Sequence, residues 1–172
     1  MGYPYFAAAQ GGILYPTTLL FLVLPFNLSW SCHIFVQTFL AGIFMYLLLR
    51  FYKLGQKSSL FGALAFSFSG HFMVWLEYGT VVNAACWLPL LILLVELLFK
   101  KQKLWLSLVI SLVLAVSFFA GFPQTSFYVW IFSIFFFFYK LKTEKLKKEV
   151  AITAGMGLLG SLGLIADRKS VV

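Results

Sequence analysis

Charge of either sign is scarce in this 172-residue chain: charged residues are 10% of it, and only five of them are acidic. Soluble globular domains carry about a quarter charged residues, so an ordinary water-facing domain is excluded. General-base or metal-binding chemistry wants an acid with a partner, and here the acids are single and scattered. Cysteine is equally sparse. Cys32 and Cys86 stand alone, with no CxxC and no His/Cys ligand spacing, and read as buried small hydrophobes. Walker A, GxGxxG, HExxH and GxSxG sequences are all missing, so soluble-type nucleotide, metalloprotease and hydrolase chemistry has no support.

What fills the chain instead is apolar: 62% of residues are hydrophobic and the mean hydropathy is +0.98. The cations from Arg50 to Lys148 fall in three clusters, Arg50/Lys53/Lys57, Lys100/Lys101/Lys103 and Lys140/Lys142/Lys145/Lys147/Lys148. A nucleic-acid surface needs its cations on one folded face. These sit at the ends of apolar runs, so the net charge of +8 is assigned to orientation and anionic lipid rather than to nucleic acid.

A helix needs about 20 apolar residues to cross a ~30 Å core, and fewer if its flanks snorkel. Residues 33–50, 60–76, 84–99, 104–120 and 123–139 meet this at the short end, and 150–165 begins a further span. The expected fold class is an all-α, polytopic integral membrane helical bundle. Because positive loops stay cytoplasmic, loops 50–57, 100–103 and 140–148 are expected inside. The N-terminal segment, Glu77 to Asn83 and Gly121 to Thr125 are then outside. Pro16 and Pro25 bracket too few residues to span, so 17–28 reads as an interfacial or re-entrant helix within an outer loop of residues 1–32.

Polar residues near the outer face are the candidates for ligand contact, because such groups at membrane depth are costly. Gln10 and Tyr15 flank the Gly11-Gly12 turn before Pro16 and are placed at the mouth of the bundle; Tyr15 also reads as an interfacial belt aromatic. His71 is either a proton shuttle or substrate contact, or a hydrogen-bonded packing histidine. Glu77 is the one acid outside apart from Asp167, and a solvated loop charge explains it. Gln124, just after Pro123 in a helix's first turn, is expected to point into the outer cavity. Glu96 is explained by an i,i+4 pair with Lys100.

Both ends look unlike natural termini. Met1 opens onto Gly2-Tyr3-Pro4-Tyr5 with no basic or apolar leader, so an upstream segment is expected. Residues 167–172, Asp-Arg-Lys-Ser-Val-Val, match the translation of a common sequencing-adapter read and are expected to be an artefact. Those codons in an independently sequenced copy of the gene would sink that idea.

The order Gly2-Tyr3-Pro4, Gln10 to Pro16, Ala41 to Arg50, Gly62 to Gly70, Trp87-Leu88-Pro89-Leu90 with Glu96, and Ala120 to Gln124 with Tyr128 resembles the bacterial YfhO family of membrane proteins. That family is similar to the GT-C glycosyltransferases. The resemblance implies a sugar drawn from a polyprenyl-phosphate donor on the outer face and passed to a cell-envelope glycopolymer. It also implies a catalytic acid in the first outer loop, upstream of Met1, so no catalytic residue is expected in this fragment, which is expected to be inactive. Gln10, Tyr15 and Gln124 are the positions it places toward the cavity; nothing is carried over to His71 or Glu77. A divalent cation in the intact protein is compatible with the resemblance but unassigned. The rival reading is a transporter or flippase-like protein, favoured by broken spans and small-residue faces.

Overall fold

The computed structural model describes Gly12, residues 15–144, Val150 and residues 152–155. Gln10, the tail at 167–172 and most of the expected span 150–165 lie outside the described residues. Those described form helices and no strand.

Helix α1, Phe26–Phe51, has 26 residues, and at 1.5 Å per residue it is about 39 Å long, enough to cross a bilayer core. It is apolar throughout, yet its buried face is mostly polar or small: Ser29, His33, Gln37, Ala41 and Leu48. Phe35 is 68% exposed and Phe39 56% exposed on the same helix. Bulk hydrophobes outside and hydrogen-bonding groups inside reverse the pattern of a soluble helix and suit a helix whose outer surface faces lipid.

Tyr52, Lys53 in left-handed backbone and Gly55 turn the chain into α2, Gln56–Ser67. Ser59, Ala63 and Ser67 form its buried face. Gly42 of α1 lies against Ser67, and Gly62 of α2 against Leu49, where an added Cβ would come within 2.5 Å of a leucine methyl. The small residues thus permit close α1–α2 packing. The chain breaks at Phe68–Ser69, resumes as α3, Gly70–Trp75, and runs through a 3-10 turn, Leu76–Tyr78.

Gly79 then reverses direction in left-handed conformation and starts α4, Thr80–Ala85. Helix α5, Leu88–Lys101, follows a break at Cys86–Trp87. Pro89 sits in its first turn, where the missing N–H costs nothing. Helices α6, Leu104–Phe119, and α7, Pro123–Thr143, complete the set, joined through Gly121 at φ +86°.

These limits differ from the expected spans in three places. The segment expected as an interfacial helix over 17–28 is a 3-10 helix, Pro16–Leu22, and α1 begins at Phe26, so residues 27–32 belong to the first long helix. The expected span 60–76 is two helices, and 84–99 is preceded by α4, which occupies most of the expected loop Glu77 to Asn83. Glycine and proline were legible as punctuation, but whether a break ends a helix or bends it depends on packing. Among the described residues, three segments are long and apolar enough to cross a membrane, Phe26–Phe51, Gln56–Tyr78 and Thr80–Lys101, with Leu104–Phe119 a shorter apolar helix.

The main core lies between α5, α6 and α7, around Leu91, Leu98, Ile110, Leu114, Trp130 and Phe137. At one end of the bundle the basic clusters converge. Lys140 Nζ pairs with Glu96 at 2.9 Å, both side chains 11% exposed, and with Glu144 at 2.5 Å. Tyr52 donates to the other Glu96 oxygen at 2.9 Å, and Lys100 lies 5.3 Å from the centre of the Phe51 ring. The expected Glu96–Lys100 pair is therefore replaced: Glu96 joins the ends of α1 and α7, because an interhelical partner in a drier setting outcompetes an exposed neighbour on the same helix.

Candidate functional site

At the opposite end, three turns meet. Gly12, at φ +55°, packs so closely on the Ala120 carbonyl that an added Cβ would stand 3.1 Å away. Its own carbonyl accepts from the Tyr15 amide and from Thr18 Oγ1. That turn drives Tyr15 into the bundle, 1% exposed, against Ala84 and Ala120. Trp87 Nε1 donates to the Tyr15 hydroxyl at 3.2 Å, and the hydroxyl reaches the Asn83 carbonyl at 3.5 Å. Burial holds the Tyr15 phenol well above the ordinary range, so it stays protonated. Tyr15 is therefore a packing anchor. The glycine turn points it inward, so it is packed inside the bundle rather than exposed at its mouth.

The centre of this end is His33, 5% exposed. Its Nδ1 is 2.7 Å from Thr17 Oγ1, and its Nε2 is 3.2 Å from both the Gly79 carbonyl and Asn83 Nδ2. One ring nitrogen cannot donate to a carbonyl and accept from an amide at once, so two arrangements are available. With Nε2 protonated, it donates to Gly79 and the Asn83 amide turns its oxygen to the ring, while Thr17 donates to Nδ1. With Nδ1 protonated, it donates to Thr17 and Nε2 accepts from Asn83. Trp30 stacks on the imidazole at 6.0 Å, and Phe21 meets its edge.

Gly79 makes this possible. An added Cβ would lie 3.1 Å from Trp30 and 3.3 Å from His33 Nε2, in backbone at φ +66°.

One turn along α1, Gln37 is fully buried. Neither its Nε2 nor its Oε1 has a hydrogen-bond partner among the described residues, and Asn83 Oδ1 is also unpartnered.

The other residues singled out from sequence are not part of this cluster. His71 is exposed and meets Phe72 edge to face at 6.2 Å. Glu77 is exposed in its 3-10 turn. Gln124 is exposed and donates to Tyr128 one turn on, at 2.9 Å. No hydrogen bond or ion pair joins these three to one another among the described residues. Sequence reasoning missed His33, Gln37 and Asn83. The available signal was His33 and Gln37 at i,i+4 inside an apolar run, which puts both on one helix face.

Among the described residues no group of three or more His, Cys, Asp or Glu could hold a metal ion. The cluster offers one imidazole and neutral amides with no carboxylate, which does not fit a divalent cation.

Apolar exterior, polar seam and convergent basic ends define an all-helical, polytopic membrane protein. The chain belongs to the bacterial membrane protein YfhO family, whose model matches residues 9–166. No curated protein and no solved structure matches it.

Proposed function

We propose that the chain is part of a membrane glycosyltransferase-like protein. It moves a sugar from a polyprenyl-phosphate donor to a cell-envelope glycopolymer at the outer membrane face. The observation that carries the reading is family membership over nearly the whole chain. A polar network assembled at the end away from the basic clusters supports it. The positive-inside rule assigns that end to the outside. In such a transfer an acceptor hydroxyl oxygen bonds to the anomeric carbon, the carbon–oxygen bond to phosphate breaks, and a carboxylate takes the hydroxyl proton. The resemblance puts that carboxylate in the first outer loop, and the residues described here position helices around the reaction.

The test is transfer of labelled sugar from a polyprenyl-phosphate donor by the longest protein encoded at the locus, in proteoliposomes. Transfer to a lipid-linked or polymeric acceptor is expected. Movement of the intact labelled lipid between leaflets without transfer would favour the flippase-like reading, for which the breaks at Phe68–Ser69 and Cys86–Trp87 speak.

A further inference from the structure

The α1–α4 seam holds more hydrogen-bonding capacity than it uses. His33 meets Gly79 and Asn83, and two turns further along α1 Ala41 joins a buried cluster with Phe72, Val82 and Cys86. Gln37 lies between these two contacts, on the same buried face. Its amide can donate twice and accept twice, and none of that is taken up among the described residues. Asn83 has one amide atom left over in either arrangement of the histidine. Unmet polar groups inside a bundle are rare and cost stability, so one on the partner of His33 and another a turn from His33 along α1 mark a place where something else is bound.

We propose that His33, Gln37 and Asn83 form a binding site for a neutral, hydroxyl-bearing group, closed by the 3-10 segment Pro16–Leu22. Leftover donors and acceptors side by side match a hydroxyl, which does both. An anion is disfavoured, since no lysine or arginine lies at this end among the described residues. A hydrocarbon tail would leave the amides unmet. The covering segment buries none of its seven residues. It is held over the site by Thr17 on His33 and by Ser29 Oγ donating to the Leu20 carbonyl at 3.0 Å. It is a lid with weak packing and a side-chain latch, and lifting it uncovers His33 first and Gln37 about 6 Å deeper. Assignment of the group to a sugar rather than to water rests on the glycosyl-transfer reading.

The test uses the full chain purified in detergent. Methyl glucoside, methyl galactoside and N-acetylglucosamine are titrated separately while tryptophan fluorescence, which includes Trp30 on the histidine, is followed. A saturable change with at least one sugar is expected, with affinity about tenfold weaker in Gln37→Leu and Asn83→Ala. Each variant's thermal midpoint confirms folding, and Gln37→Leu, which removes the unmet amide, is expected to melt no lower than the parent. Thr17→Val is expected to speed the fluorescence change by releasing the latch.

No saturable change with any sugar, or a change undiminished in a folded Gln37→Leu, overturns the proposal. So does water contact at the Gln37 amide by NMR with no sugar response. Transfer by the longer protein that is indifferent to Gln37→Leu also overturns it while leaving the transfer reading in place. Sugar binding lost in Gln37→Leu supports it even if no transfer is found.

Discussion

At the scale of the residue, Gly79 is constrained by its backbone and by two neighbouring rings at once. An alanine there would strain a backbone at φ +66° and press on Trp30 and His33 together. Gly79→Ala is expected to cost about 1–3 kcal/mol, read as a lower thermal midpoint and altered tryptophan emission. Two tyrosines give a pH signature. Burial raises the Tyr15 hydroxyl, and burial with the bond to Glu96 pushes Tyr52 up to about 12. An unfolded tyrosine titrates near pH ~10. The stability from keeping these phenols neutral is complete below that pH and is lost as pH rises above it. Melting temperature is expected to fall on the alkaline side, and Tyr15→Phe and Tyr52→Phe each to flatten that fall. His33 and Gln37 escaped the sequence reading because a lone polar residue in an apolar run announces no partner. The partners of His33, Gly79 in the turn before α4 and Asn83 within α4, lie 46 and 50 residues away.

At the scale of the element, helix ends carry more information than helix middles. The join between α1, α5 and α7 depends on Glu96, Lys140 and Tyr52. Breaking a fully buried pair costs about 3–5 kcal/mol, and this partly exposed, solvent-screened one is expected to cost less. Lys140→Met is expected to destabilise more than Glu96→Gln, since Lys140 keeps Glu144 whereas Glu96 keeps only a tyrosine hydroxyl. Thermal melts of the two variants decide it. Gly62→Ala meets only the flexible end of Leu49 and is expected to be tolerated, whereas Gly62→Leu should separate α1 from α2 and lower the melting point. The expected spans were legible from apolar runs and basic clusters. The breaks at Phe68–Ser69 and Cys86–Trp87 were not, because continuous apolar sequence on both sides of a break looks like one span.

At the scale of the whole molecule, the convergent basic ends give an orientation that can be measured. In a chain with Cys32→Ser and Cys86→Ala, Glu77→Cys is expected to react with a membrane-impermeant maleimide on intact cells. Lys57→Cys is expected to react only after lysis. The reverse labelling would invert the topology and move the polar seam to the inside.

The sequence by itself determined the membrane class, the family and the grouping of cations at alternate turns, because these follow from composition and local order along the chain. Tertiary structure alone decided that Tyr15 is an anchor, that Glu96 turns to Lys140, and that His33, Gln37 and Asn83 share one seam. Each of those outcomes depends on which distant helix arrives beside a residue, and in a uniformly apolar chain local pattern does not specify the neighbour.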